Sequence, residues 1–272
     1  MYIIQFIVIL LIVLVPGYLI PAGQYYWRYH KRLKASDEQQ RIQKTRSPTK
    51  GQIRREVRLS LVSCLIFATM GTILWRMFRA DQTSIYLKFT DYPLWYLPVS
   101  FLLCLIIHDT YFYWTHRLMH TRALFKYTHA GHHRSITPTP WAIYAFQPAE
   151  AVIQYLGIMG LVIFLPLHPV VFFAFMFYDT QVNTAGHCGY EVLPAWIVNS
   201  RWYRGFNTVT HHDAHHTNFG KNFGLFFNFW DRVMGTFWDA RTVPESQPEM
   251  SKTTHKAADS LGHLSGSMHS AV

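Results

Sequence analysis

Residues 96–120, YLPVSFLLCLIIHDTYFYWTHRLMH, join an uncharged apolar segment to two histidines, His116 and His120, at its far end. No Asp, Glu, Lys or Arg occurs from residue 92 to residue 107, and a helix needs about 20 apolar residues to cross the hydrocarbon of a bilayer. Residues four apart on a helix share one face, so the two imidazoles point in the same direction. The stretch predicts a membrane-spanning helix that presents metal-ligating side chains at its end.

Two further apolar blocks precede this helix. Residues 1–27 and 59–75 contain no charged side chain, and each approaches or exceeds the length of a span. We expect one helix over Tyr2–Tyr18, because the helix breakers Pro16, Gly17 and Pro21 follow closely. A second helix is expected over Glu56–Arg79.

A fourth uncharged block, 151–178, is interrupted by Pro166-Leu-His-Pro169, which does not suit a single straight helix. Histidine clusters lie on both sides of this block, so the chain must leave and re-enter the same face of the membrane if they share a site. We therefore expect a helical hairpin with its tip at Pro166–Pro169. The surfaces of Phe101–Ile107 and Val170–Tyr178 are candidates to line a lipid path, with ordinary helix packing as the alternative.

The positive charge is concentrated in one loop. The chain has a formal net charge of +10, and Arg28 to Arg58 alone hold eleven Lys or Arg against three Asp or Glu, a net +8. This loop lies between two apolar blocks, and positive charge beside membrane spans marks the cytoplasmic side. We therefore expect Arg28 to Arg58 to face the cytosol and Met1 the opposite side. Because this topology accounts for the positive charge, the charge does not indicate a nucleic-acid partner.

The cysteines and the C-terminal segment predict no site. Cys64, Cys104 and Cys188 share no motif spacing, so neither a disulfide framework nor a thiolate zinc site is expected. Cys64 and Cys104 fall in apolar blocks and are expected to be small buried side chains. The segment after Thr242 is rich in Ser, Thr, Lys and Pro and is expected to be disordered.

Histidines form three clusters: HRLMH at 116–120, HAGHH at 129–133 and HHDAHH at 211–216, with His187 alone in NTAGHCGY. Spacings of three and four direct imidazoles at one point, whereas neighbours such as His132 and His133 point about 100° apart on a helix. These ligands exceed the three or four that one zinc ion uses, so we expect two metal ions. Iron, copper, nickel and zinc all accept imidazole. His108 has either a supporting or a ligating role.

With TPTPWAIYAFQPAE at 137–150 and TNFGKNFGLFFNFWDRVMGTFW at 217–238, these clusters resemble the fatty acid hydroxylase and sterol desaturase superfamily over about residues 94–240. The resemblance implies a non-haem enzyme with two iron ions that uses dioxygen and two electrons to hydroxylate or desaturate a lipid. The lipid would be a sterol, a fatty acyl chain or a sphingoid base. The ligands implied by position are His116, His120, His129, His132, His133, His187, His211 or His212, His215 and His216.

The resemblance also assigns supporting features. Asp109, seven residues before His116, is implied to orient a ligand from outside the metal sphere. Because 272 residues show no fused electron-transfer segment, a separate cytochrome b5-like protein, ferredoxin or flavin reductase is expected to supply the electrons. The membrane would be a bacterial inner membrane or the endoplasmic reticulum, with the active site facing the cytosol.

Two other classes of function compete with a lipid oxidoreductase. An intramembrane zinc hydrolase typically has a glutamate base beside its ligands, and no HExxH occurs here. A metal transporter would line its spans with histidines, whereas most of these clusters follow the spans. Both patterns favour the oxidoreductase.

The expected fold is an all-α integral membrane protein with three transmembrane helices, a helical hairpin and a cytosolic, histidine-rich metal-binding cap. The expected domains are an anchor at 1–27, a basic cytosolic loop at 28–58, a membrane-embedded catalytic domain at 59–242 and the tail at 243–272.

Overall fold

The computed structural model describes residues 2–32, 38–239 and 241. Residues up to Trp238 belong to one compact unit. In the second unit, 239–272, Arg241 and Asp239 form an ion pair at 2.7 Å. The tail predicted to be disordered, 243–272, lies outside the described residues.

The described part of the chain is helical and has no β-strand, as predicted. The principal helices are α1 (Tyr2–Leu14), α2 (Ile20–Tyr26), α3 (Lys50–Arg79), α4 (Tyr96–Met119), α5 (Phe125–Thr128), α6 (Ala130–His133), α7 (Pro148–Phe164), α8 (Pro169–Gly186), α9 (Ala195–Val198), α10 (Val209–Thr217) and α11 (Phe229–Val233). Short 3₁₀ turns occur at Pro140–Ala142 and Arg201–Tyr203.

The first helical rod is longer than predicted. It runs without a break from Tyr2 to Lys31, because π-helical turns at Val15–Leu19 and Trp27–Lys31 connect α1 to α2 and extend α2. Pro16 lies at the start of the first π turn, where Ile20 donates its N–H to the Val15 carbonyl. The wider turn accommodates the residue that lacks an N–H, so the predicted end at Tyr18 was wrong.

Helix α3 also begins earlier than predicted, at Lys50 rather than Glu56. The Thr49 side chain accepts a hydrogen bond from the Gln52 N–H at 3.1 Å and caps the helix. Basic residues assigned to the loop therefore belong to the first turns of α3.

Among the described residues, three helices are long and apolar enough to cross a membrane: Tyr2–Lys31, Lys50–Arg79 and Tyr96–Met119. Many of their apolar side chains face outward, and Leu102 and Ile106 are each 55% exposed. Extensive apolar surface on a protein marks contact with an apolar environment. The helical bundle thus has the surface expected of a membrane protein.

The predicted hairpin is present. Helices α7 and α8 are its legs, and residues 165–168 connect them. The His168 ring accepts a hydrogen bond from the Val170 N–H at 3.3 Å, which caps α8 at the tip. The start of α7 and the end of α8 therefore lie at the same end of the hairpin.

Gly157 lies at a close contact between α7 and α4. A Cβ added at this glycine would lie 2.6 Å from Cδ1 of Tyr111, and the Tyr111 hydroxyl donates to the Ile153 carbonyl at 2.7 Å. The Tyr111 ring is attached to α4 at one end and hydrogen-bonded to α7 at the other, so it cannot easily move aside. The two helices therefore approach closely only because residue 157 has no side chain.

We predict that Gly157→Ala destabilises the protein by about 1–3 kcal/mol, because the tethered Tyr111 ring must move. Gly160→Ala is the matched control, since a Cβ there meets nothing within 4 Å and both changes add the same helix propensity. Thermal unfolding in detergent measures the difference. Equal midpoints for the two variants would contradict this packing.

Candidate metal centre

Nine of the ten predicted histidines come together in two groups. Within each group the candidate ligand atoms lie within 4.8 Å of one another. The first group contains His116, His120, His129, His133 and His215, and the second contains His132, His187, His212 and His216.

Helix geometry explains this division. His116 and His120 lie four residues apart at the end of α4 and share a group, as the spacing predicts. The neighbours His132 and His133 separate into different groups, as do His215 and His216. Because adjacent helical side chains diverge by about 100°, one short helix serves two metal positions.

The Nε2 atoms face one another across each group. The close pairs are His116 with His129 at 2.9 Å, His120 with His133 at 3.1 Å, His132 with His187 at 3.3 Å and His187 with His212 at 3.1 Å. Among the described residues, Nε2 of His215 and both ring nitrogens of His216 are buried without a hydrogen-bond partner. Buried polar atoms are normally paired, so these nitrogens fit metal ions placed at the centre of each group.

Backbone carbonyls hold the opposite nitrogens of several rings. Nδ1 of His116 lies 2.9 Å from the Phe223 oxygen, and Nδ1 of His187 lies 2.8 Å from the Asn183 oxygen. Nδ1 of His215 lies 2.6 Å from the Lys221 oxygen. A carbonyl can only accept, so Nδ1 donates and Nε2 keeps its lone pair, which is the tautomer that binds metal through Nε2.

Glu150 holds a further ring in place. Its Oε1 lies 2.6 Å from Nδ1 of His129 as a close electrostatic contact that is out of line for a hydrogen bond, and its side chain is fully buried. Carboxylates in this position orient metal-bound imidazoles and raise their basicity. The sequence prediction assigned Glu150 no role; the available signal was its place in the QPAE motif, at the first turn of α7.

The clustered imidazoles beyond the spanning helices are neutral near pH 7. Burial lowers the pKa of His187 to about 4. Burial, and then the neighbouring histidines, keep the pKa of His132 and of His212 well below the usual 6.5. Neutral imidazole is the form that coordinates a metal, so the ligand set is available without deprotonation.

Asp109 was predicted to orient a ligand, and its carboxylate binds a backbone loop. Its Oδ1 accepts hydrogen bonds from the backbone N–H groups of residues 225–227, at 3.1, 2.7 and 3.2 Å. Asp231 accepts from the N–H groups of Phe223 and Gly224 at 2.9 and 2.8 Å. Two buried carboxylates therefore fix the loop whose Phe223 carbonyl orients His116.

His211 belongs to neither group. Its Nδ1 lies 3.2 Å from both the backbone N and the Oγ1 of Thr208, and the Thr208 side chain in turn accepts from the His211 N–H. These contacts form a capping box at the start of α10. Of the two residues between which the sequence left the ligand open, the structure places His212 in a group and His211 outside both.

An apolar cavity of about 790 Å³ adjoins the histidines. Phe112 and Phe146 line it, and their rings lie 5.0 Å from His116 and 5.4 Å from His132. Of the predicted lipid-path segments, Val170–Tyr178 supplies Phe172, Phe173, Met176 and Phe177 to the wall. Phe101–Ile107 supplies no lining residue: Phe101, Cys104 and Leu105 pack in the core, whereas Leu102 and Ile106 face outward.

Comparison with known proteins matches this architecture to a family. The family described as "Fatty acid hydroxylase" matches residues 101–236, half of the chain, and this range includes every histidine of both groups. The chain belongs to the fatty acid hydroxylase family. No solved structure matches the chain at a significant level.

Relatives include sterol-modifying enzymes. The chain is 28% identical over 200 residues to a Delta(7)-sterol 5(6)-desaturase of Gibberella zeae, covering 73% of this chain and 59% of the relative. It is 28% identical over 190 residues to lathosterol oxidase of Homo sapiens, covering 69% and 62%. It is 30% identical over 161 residues to methylsterol monooxygenase 1 of Rattus norvegicus, covering 59% and 54%. The chain thus spans about three fifths of the first two relatives and about half of the third.

We predict that His212→Ala removes one of two bound metal equivalents, because its imidazole belongs to the four-histidine group. His211→Ala should retain both equivalents, and the lost capping contact should cost about 1 kcal/mol of stability. Metal analysis after anaerobic loading, together with thermal unfolding, separates the two. The reverse pattern of metal loss would place His211 in the coordination sphere.

Glu150→Gln is predicted to weaken metal binding about 10- to 100-fold, because the amide removes the negative charge that lies beside Nδ1 of His129. Glu191→Gln is the control: Glu191 accepts from Thr210 N–H and Oγ1 at 3.2 and 2.9 Å and contacts neither group. Competition with a chelator measures metal affinity. Equal affinities for both variants would remove Glu150 from its orienting role.

Proposed function

We propose that this chain is a membrane-bound di-iron oxidoreductase that uses dioxygen and two electrons to hydroxylate or desaturate a C–H bond of a lipid. A sterol is the best supported substrate class. The observation that supports this proposal most directly is that two groups of neutral imidazoles adjoin one apolar cavity. The names of the relatives, which include sterol desaturases and a sterol monooxygenase, support the substrate class and leave both reaction types open.

Five and four imidazoles would hold the two metal ions. In the part of the chain that the structure describes, neither group contains a carboxylate, so the rings leave the bound pair strongly cationic. Imidazole ligands accept iron, and the iron assignment rests on the family. When bound, the iron pair would supply the redox chemistry with dioxygen.

The protein's own residues orient the imidazole rings and shield the site from water. Carbonyls of Phe223 and Asn183 and the Glu150 carboxylate set the ring orientations. Phe112 and Phe146 form apolar parts of the cavity wall next to His116 and His132. This wall keeps water away from the reacting carbon and presents a hydrocarbon to the metals.

The site is proposed to face the cytosol. Side chains of the basic segment contact the histidine-bearing cap: His30 Nε2 lies 3.0 Å from the Cys188 oxygen, and Arg55 donates to the Arg134 carbonyl at 2.9 Å. Positive segments beside spans remain on the cytosolic side, so this contact supports a cytosolic cap. The membrane would be a bacterial inner membrane or the endoplasmic reticulum, and a separate redox protein would deliver electrons.

The test uses the purified full chain, loaded anaerobically with Fe²⁺ and supplied with a sterol, a chemical reductant and dioxygen. We expect two iron equivalents and a dioxygen-dependent product that has lost two hydrogens or gained one oxygen. His132→Ala and His215→Ala, one from each group, should reduce turnover to background while the protein still inserts in membranes.

His211→Ala is the matched control, because it removes an imidazole from the same helix as His215 without entering either group, and it should remain active. Fewer than two iron equivalents together with no dioxygen-dependent lipid product would refute the proposal. Turnover retained in both ligand variants would refute the ligand assignment.

A further inference from the structure

A histidine and an aspartate lie in the mainly apolar wall of the cavity. His108 on α4 and Asp179 on α8 both line it. His108 is 4% exposed and Asp179 is 8% exposed. Ionisable side chains within apolar helices are costly unless they are paired, and they mark functional positions. The metal groups include neither residue, so their presence needs another explanation.

The two side chains do not satisfy each other. His108 Nε2 lies 3.7 Å from Asp179 Oδ1, which is too far for a hydrogen bond. Among the described residues, His108 Nδ1 is buried without a hydrogen-bond partner. Asp179 Oδ1 accepts one bond from Asn183 Nδ2 at 3.2 Å. A structural pair would close this gap, because an unmade buried hydrogen bond is unfavourable.

We propose that His108 and Asp179 bind a free hydroxyl group of the lipid substrate. A hydroxyl both donates and accepts a hydrogen bond. One hydroxyl oxygen at about 2.8 Å from both Asp179 Oδ1 and His108 Nε2 can donate to the carboxylate and accept from the imidazole N–H. This inference rests on the proposed function, because it assigns the ligand of the same cavity.

The position of the pair relates the hydroxyl to the reacting carbon. His108 lies eight residues before His116 on α4, and Asp179 lies eight residues before His187. Eight residues of helix rise about 12 Å, so the pair lies about 12 Å from the histidines on both helices. Asn183 spans half of this interval, because its side chain bonds Asp179 and its carbonyl accepts from His187.

This interval must contain the hydroxyl, the reacting carbon and the bound metals. The oxidised carbon is therefore only a few bonds from the hydroxyl. The same cavity is also lined by Ile4 and Trp75, so it has room for the rest of the hydrocarbon. The site thus selects a lipid whose hydroxyl end, rather than its hydrocarbon end, approaches the metals.

The test compares matched ligands on the full-length, iron-loaded protein without dioxygen, so that binding is measured and turnover is not. The probes are cholestanol with its 3-deoxy counterpart cholestane, and hexadecanol with hexadecane. We expect the wild-type protein to prefer the hydroxylated member of at least one pair about tenfold, the equivalent of one buried hydrogen bond. His108→Leu and Asp179→Leu should abolish the preference.

Three variants control for folding and chemistry. His108→Gln keeps a polar group and should recover part of the preference. Thr115→Val removes a hydroxyl from α4 that only bonds the Tyr111 and Phe112 carbonyls of its own helix, and should keep the full preference. Iron content should remain unchanged in His108→Leu, which separates loss of the hydroxyl contact from loss of the fold.

Absence of any preference in the wild type, or the same preference in His108→Leu and Asp179→Leu, would overturn the inference. Failure of the proposed function is distinguishable: a protein that discriminates the hydroxyl but oxidises nothing retains this subsite and loses only the assigned reaction. A protein that oxidises a lipid without discrimination shows the reverse.

Discussion

Buried imidazole nitrogens that lack protein partners are the constraint on which this structure depends. Nε2 of His215 and both nitrogens of His216 have no partner in the described chain, and other Nε2 atoms face one another at about hydrogen-bond distance. Such an arrangement is unfavourable unless metal ions occupy the centres of the groups. We infer that metal binding contributes directly to the stability of the cap.

The helices bring the histidines of both groups together. Helix α4 brings two histidines to its end, and the hairpin of α7 and α8 returns the chain to the same end, where Glu150 and His187 join them. A single straight span in place of the hairpin would separate His187 from the other clusters by the thickness of the bilayer, about 30 Å. The interruption at residues 165–168 is therefore as necessary to the site as any ligand.

Buried carboxylates act around the metal groups instead of within them. Glu150 contacts an imidazole directly, whereas Asp109 and Asp231 bind five consecutive backbone N–H groups of residues 223–227. Fixing a loop by its backbone holds the Phe223 carbonyl against His116. Hydrogen bonds to a carboxylate are stronger than bonds to neutral acceptors, so these bonds hold the loop firmly in place.

The sequence alone determined the features that depend on local periodicity. Apolar blocks of span length predicted α3 and α4, the prolines at 166 and 169 predicted the hairpin, and the spacing of the histidines predicted two metal groups with adjacent residues divided between them. These are properties of one helix or one turn, where side-chain direction follows from residue number.

Only the tertiary structure decided which groups meet across segments. Nothing local distinguishes His211 from His212, and their roles separate because Thr208 engages one ring while His187 faces the other. Glu150 and Asp109 contact partners from other segments of the chain. Pro16 lies within a continuous helix because a π-helical turn accommodates it. The gap between His108 and Asp179 likewise depends on how α4 packs against α8, since residue spacing specifies direction along one helix but not the partner that it meets.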